Sequence, residues 1–301
     1  MHVGSLPARR PSRPDWWVPA ADTLERNGGS ASEAPREPTS GQSPGRLHRG
    51  GTIAGERNEV ASHVEGKFAV AGAISSRGES WRSGASWIWQ QDLYGKRSRH
   101  LGAGHGLAGN AFAVLRGAAH ADPARVRAIA DRVEETLSRT ALHGDPDASP
   151  ALANWQPLVD AELLAVWQSR GGHPLVQDCH GAPGIVCRLA GRVPRSDAWD
   201  ALLRAAGELT WRAGPLAKGP SLCHGTAGSA MACLKLWRLF DEPLWLERAR
   251  ALALHAADQV EAIRARHGKG RHSLWTGDLG VACALWNCVT GDDRFPTLDH
   301  F

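Results

Sequence analysis

Four copies of one glycine frame constrain this chain more than any other feature. GHGLAG (104–109), CHGAPG (179–184), CHGTAG (223–228) and WTGDLG (275–280) each place two variable residues ahead of Gly-x-x-Gly. Equivalent positions are 75, 44 and 52 residues apart. The shorter steps suit a repeating helical hairpin, and the longest leaves room for an insertion through HGDPDASPALANWQP. The variable pairs are Gly104-His105, Cys179-His180, Cys223-His224 and Trp275-Thr276. Constant glycines behind changing pairs describe a repeated scaffold that carries one site.

Between the frames lie amphipathic helices. DPARVRAIADRVEETLSRTALH opens on Asp122 as N-cap and Pro123 at the first helical position. Its Val126, Ile129, Ala130, Val133 and Leu137 share one face. DAWDALLRAAGELTWRAG does the same through Leu202, Leu203, Ala206 and Leu209 and stops at Gly214-Pro215. A third helix begins near Pro243, with Leu246, Ala249 and Leu252 aligned. The segments that follow each glycine turn, such as TAGSAMACLKLWRLF and LGVACALWNCV, are apolar nearly all round and so belong inside. Amphipathic and buried helices in alternation give an all-α architecture, an α/α barrel or solenoid. A closed ring of such hairpins brings every inner-helix N-terminus to one mouth.

Residues 1–80 differ. RNGGSASEAPREPTSGQSPGRLHRGGTIAGERNE is rich in Gly, Ser, Pro and Arg and lacks apolar periodicity, which reads as disordered or loosely structured. A short apolar patch at Phe68-Ala69-Val70 is the one candidate strand there. From Trp81 onward the chain reads as helical, so the domains expected are 1–80 and 81–301. The formal charge is only +4 and part of the basic excess sits in the first segment, so nucleic acid is not an expected partner. No run approaches the roughly 20 apolar residues of a membrane span, and the start has no apolar export core. Six cysteines confined to the second half of such a chain suggest reduced thiols or a metal, and a cytoplasmic setting.

The convergent pairs offer Cys179, Cys223, His224, His105 and His180. Thiolate and imidazole are zinc's preferred ligands, and three of them leave a fourth position for water or substrate. Helix N-termini favour the thiolate form. Gly-x-x-Gly also fits a tight turn for close helix packing, and cysteine is among the commonest buried residues, so spacing alone leaves both readings open. Cys187, Cys233, Cys283 and Cys288 read as core. A carbohydrate-processing α/α barrel would need paired carboxylates at the mouth, and the turns offer only Asp178 and Asp278.

The stretches WIWQQDLYGKRSRHLGAGHGLAGN, ANWQPL, VQDCHGAPGIV, SLCHGTAGSA, LWTGDLGVACAL and RFPTLDHF occur in an order that resembles the lanthionine synthetase C-like family in its stand-alone bacterial form. The resemblance runs from about Trp87 to Phe301. It implies an α/α toroid with Zn2+ at its mouth, held by Cys179, Cys223 and His224, with His105 as the acid/base histidine and His180 near the site but not a ligand. It also implies zinc-dependent addition of a thiol to a dehydroamino acid to form a thioether. The substrates implied are a dehydrated peptide or small electrophile, with a peptide cysteine or glutathione as thiol. Fewer glycine turns are present than a closed toroid of the family needs, so the toroid is expected to be incomplete. A non-catalytic zinc-binding scaffold, or a remnant of such an enzyme, is the alternative expectation.

Overall fold

The computed structural model describes residues 88–93, 96–144, 149–160 and 175–299. The expected disordered segment 1–80, the Phe68-Ala69-Val70 patch and the boundary at residue 81 lie outside them.

Seven α-helices account for most of the described chain. They are α1 (Leu107–Arg116), α2 (Pro123–Thr140), α3 (Ala182–Leu189), α4 (Asp197–Ala213), α5 (Thr226–Phe240), α6 (Pro243–His267) and α7 (Asp278–Thr290). The odd-numbered helices each follow a glycine turn. They pack successively, α1 on α3, α3 on α5 and α5 on α7, while α2, α4 and α6 lie outside them. The result is an arc of an α/α toroid. Local sequence sets the outer helices as expected. Asp122 accepts from the Ala124 N–H ahead of Pro123, Ser196 accepts from the Trp199 N–H, and Gly214 closes α4 at φ 64°. The inner helices are buried through small residues: Ala182 to Leu189 of α3 and Thr226 to Leu236 of α5 are covered on every side.

The four turns share one steric rule, which explains their glycines. A Cβ on the first glycine of each frame (Gly106, Gly181, Gly225, Gly277) would lie 2.1–2.3 Å from the carbonyl oxygen six residues earlier, and these glycines are the helix N-caps. A Cβ on the second (Gly109, Gly184, Gly228, Gly280) would lie 1.7–2.3 Å from the oxygen six residues before it. No heavy atom is tolerated at those separations, so each helix enters over its own preceding loop only with glycine at both points. Bending freedom, the reason suggested by sequence, applies to Gly181 alone, at φ 111°; the other three N-caps are extended.

Two expectations need correction. Residues 90–100 are not helical. Gln90–Leu93 (β1) and Lys96–His100 (β2) form an antiparallel pair, extended on the β2 side by Leu158–Val159 (β5). KRSRH has no apolar spacing of a helical face, so an extended segment ending under the first turn is the better solution. The insertion supplies β5 and a second small pair, Leu142–His143 (β3) with Ala153–Asn154 (β4). Helix α7 is also not buried all round. Leu279, Trp286 and Val289 are 53%, 66% and 73% exposed, on the side away from α5 where no further helix lies among the described residues. Cys283, expected in the core, is half-buried on the same helix, whereas Cys187, Cys233 and Cys288 are core.

RFPTLD folds back onto residues of the inner helices. Phe295 is fully buried and stacks on Trp275 at 5.5 Å, and Asp299 pairs with Arg192 and with Lys235 at 3.0 Å.

Candidate metal centre

The turns are stitched into a belt by their backbones. The Gly104 N–H donates to the Cys179 carbonyl (3.0 Å), the Cys179 N–H to the Cys223 carbonyl (3.2 Å), and the Cys223 N–H to the Trp275 carbonyl (2.9 Å). These are the first residues of the four variable pairs. Positions equivalent in the repeat are therefore neighbours in space, and the Cys179, Cys223 and His224 side chains converge at the N-terminal end of the inner helices.

Cys179, Cys223 and His224 place their ligand atoms within 4.8 Å of one another, and Cys223 Sγ lies 3.7 Å from His224 Nε2. A tetrahedral zinc with bonds of ~2.3 Å to sulfur and ~2.1 Å to nitrogen separates its ligands by about 3.6–3.8 Å. The Cys223–His224 separation matches that value, and the three donors, all within 4.8 Å, are close enough to converge on such an ion with a fourth position left over. Among the described residues this is the one such group of three. Cys179 is buried, and Cys223 and His224 are half-buried.

Cys179 hydrogen-bonds to the Cys223 sulfur; that bond and burial raise the Cys179 pKa far above the ordinary thiol value, while the same bond draws Cys223 below it. Burial, then the charge of Lys218, lowers His224. The shifts favour the Cys223 thiolate and the neutral His224 imidazole, both ligand forms, whereas Cys179 keeps its proton in the metal-free group and would give it up to a metal. Asp178 does not bring an exposed charge to the centre. It is 1% exposed and bonded to Arg188 at 2.8 Å, and burial raises its pKa despite that partner.

Beside the donors stands a cluster of imidazoles. His105, which is exposed, lies 5.6 Å ring to ring from His180 and 6.0 Å from His100, and His100 and His180 are 6.1 Å apart. Burial first, then His105, His100, His224 and Lys218, lowers the His180 pKa to about 4. Burial and His105 lower His100.

The structure thus gathers the residues singled out by sequence and adds four others. Gln177 donates through Nε2 to Cys179 Sγ (3.0 Å) and accepts from Lys218 Nζ (2.8 Å). Asn154 accepts from the Ala182 N–H at the start of α3 (2.8 Å) and donates to the Leu175 carbonyl (3.2 Å). That gives the Asn of ANWQPL its task, clamping the loop that carries Cys179. His100 is the fourth. Gln177 stands two residues before Cys179 and Lys218 five before Cys223, and only this proximity in sequence could have pointed to them.

Fold and site together define a class, an α/α toroid whose inner-helix turns assemble a Cys-Cys-His donor group. The family profile described as lanthionine synthetase C-like protein matches residues 71–299, and the chain belongs to that family. It is 34% identical to the LanC-like protein GCL1 of Arabidopsis thaliana over 129 residues, 40% of this chain and 30% of the relative. It is 31% identical to the glutathione S-transferase LANCL1 of Danio rerio over 167 residues, 54% of this chain and 35% of the relative. The matched segment spans about a third of the length of either relative. No described helix is long and apolar enough to cross a membrane.

Proposed function

We propose that this protein joins a thiol to a dehydroamino acid, forming a thioether, at a zinc centre held by Cys179, Cys223 and His224. The observation that carries the reading is the convergence of these three donors within 4.8 Å, with an exposed histidine packed on His180, the residue after Cys179. A zinc ion in that group would lower the pKa of a substrate thiol and hold it as the nucleophilic thiolate.

The protein's own residues do the rest. His105 has an exposed ring 5.6 Å from that of His180, the residue after Cys179, and would face an electrophile bound at the metal. Addition of sulfur to the β-carbon of the alkene leaves an enolate, and His105 donates a proton to the α-carbon. Imidazole suits this step because it exchanges protons near neutral pH. Lys218 and Arg271 act on His224 as positive charges, opposed by the buried Asp178, which is itself paired with Arg188, so the site carries a positive field. An anionic thiol such as glutathione matches that field better than a neutral one, in keeping with the name of the Danio rerio relative. A peptide cysteine in an acidic segment is the alternative thiol.

The test is thioether formation from glutathione and a dehydroalanine peptide, followed by mass spectrometry. Product from the wild type, reduced at least ~100-fold in His105→Asn and in Cys223→Ala, supports the reading. Zinc bound without product in the wild type leaves the non-catalytic scaffold instead.

A further inference from the structure

We infer that Gln177 is a positioning residue of the metal centre, aligning the Cys179 sulfur and tying it to the charge of Lys218; the inference rests on the metal-centre reading above. Gln177 is 3% exposed, and both ends of its amide are used within the site. Its orientation is fixed by chemistry. Lys218 Nζ lies 2.8 Å from Oε1, and an ammonium only donates, so the amide oxygen must face it. That turns Nε2 onto Cys179 Sγ at 3.0 Å. A flipped amide would set two donors against each other and leave the sulfur facing an oxygen. The Gln177 backbone is held as well, its N–H donating to the His180 carbonyl at 3.1 Å across the turn.

An N–H donor on a metal-bound thiolate withdraws charge from the sulfur and restricts the side chain to one rotamer. Groups behind metal ligands contribute about 10–100-fold to affinity. Cys223 has no comparable amide among the described residues, so the two sulfurs are not equivalent. Cys179 is the tethered, charge-damped ligand, and Cys223 the freer one.

Metal binding and a spectrum test this without any turnover. Zinc affinity is measured by competition with a chromophoric chelator, and the cobalt-substituted protein reports the sulfur-to-metal charge-transfer band. In Gln177→Leu, zinc binding weakens about 10–100-fold and the cobalt band moves to longer wavelength, because a sulfur without its donor gives up charge more readily. Lys218→Met, which leaves the amide on the sulfur, produces a smaller change in the same direction. Gln177→Glu keeps the size and the Lys218 partner but sets a carboxylate against the thiolate, so it weakens zinc at least as much as Gln177→Leu and serves if that variant fails to fold. Gln177→Leu or Gln177→Glu binding zinc within twofold of the wild type, with the cobalt band unmoved, overturns the inference. A wild type that binds neither metal overturns the metal centre itself, and this inference with it.

Discussion

The Cys179 N–H donates to the Cys223 carbonyl at 3.2 Å, although 44 residues separate the two in the chain. The donor group is therefore held by backbone. The turns are in place whether or not the thiols are, and the side chains converge because the peptide planes beneath them are bonded.

Single thiol removals follow from this. Wild-type protein is expected to carry about one zinc per chain, and Cys179→Ala and Cys223→Ala essentially none after dialysis. The half-buried Cys223 contributes little packing, so the metal-free Cys223→Ala protein should unfold within about 1 kcal/mol of the metal-free wild type. Elemental analysis and urea titration on the same samples check both. A variant that keeps its zinc removes that residue from the ligand set.

The steric rule of the turns predicts a severe effect at Gly184. Its Cβ would stand 1.7 Å from the Asp178 oxygen, between the first turn of α3 and the loop carrying Cys179. Gly184→Ala is expected to cost about 3 kcal/mol or more and to displace that loop. Gly268→Asn is the contrast. Gly268 caps α6 at φ 69° with nothing within 4 Å, and asparagine tolerates that conformation, so the cost should stay under about 1 kcal/mol. Equal stabilities for the two variants would refute the close-approach explanation.

Asn154→Ala removes the clamp on the same loop. The Ala182 N–H and the Leu175 carbonyl both lose their partner, a loss worth about 1–3 kcal/mol for a buried group. A lower urea midpoint together with weaker zinc retention is the expected pair of results. Asn154→Asp, which keeps the acceptor for Ala182, should recover part of the midpoint.

His180 gives the fold a pH dependence. Its pKa is about 4 in the folded protein against 6.5 for a free histidine. The unfolded chain therefore binds the extra proton between those values, and stability must fall as pH drops from about 6.5 toward 4. Above 6.5 the histidine is neutral in both states and contributes no slope. Urea midpoints of metal-free protein from pH 7 to 4.5 should decline less steeply in His180→Asn than in the wild type. Parallel slopes would place the titration elsewhere.

Much of this was open to reading in the one-dimensional pattern. Helices α2, α4 and α6 are legible because their end signals and apolar spacing are local, set by Asp122 and Pro123, by Gly214-Pro215 and by Pro243. The frames marked the inner helices, since a close approach that excludes every Cβ must be written as glycine at each repeat. The extended Gln90–His100 pair was missed because strands are fixed by their partners, here with β5 some 58 residues beyond β2. The bare side of α7 was missed because its residues match those of α5, and only the neighbours differ.

The sequence by itself determined the repeat, the family, and the residue types that could serve a metal. Tertiary structure alone brings them together. Cys179, Cys223 and His224 come within 4.8 Å because belt hydrogen bonds join equivalent turns, and no spacing rule contains those bonds. It also decided that Gln177 and Lys218 stand behind Cys179 and that Asp178 turns inward to Arg188. Local preferences act over a few residues along the chain, whereas a donor set is a relation between segments far apart in it, made only when the helices pack.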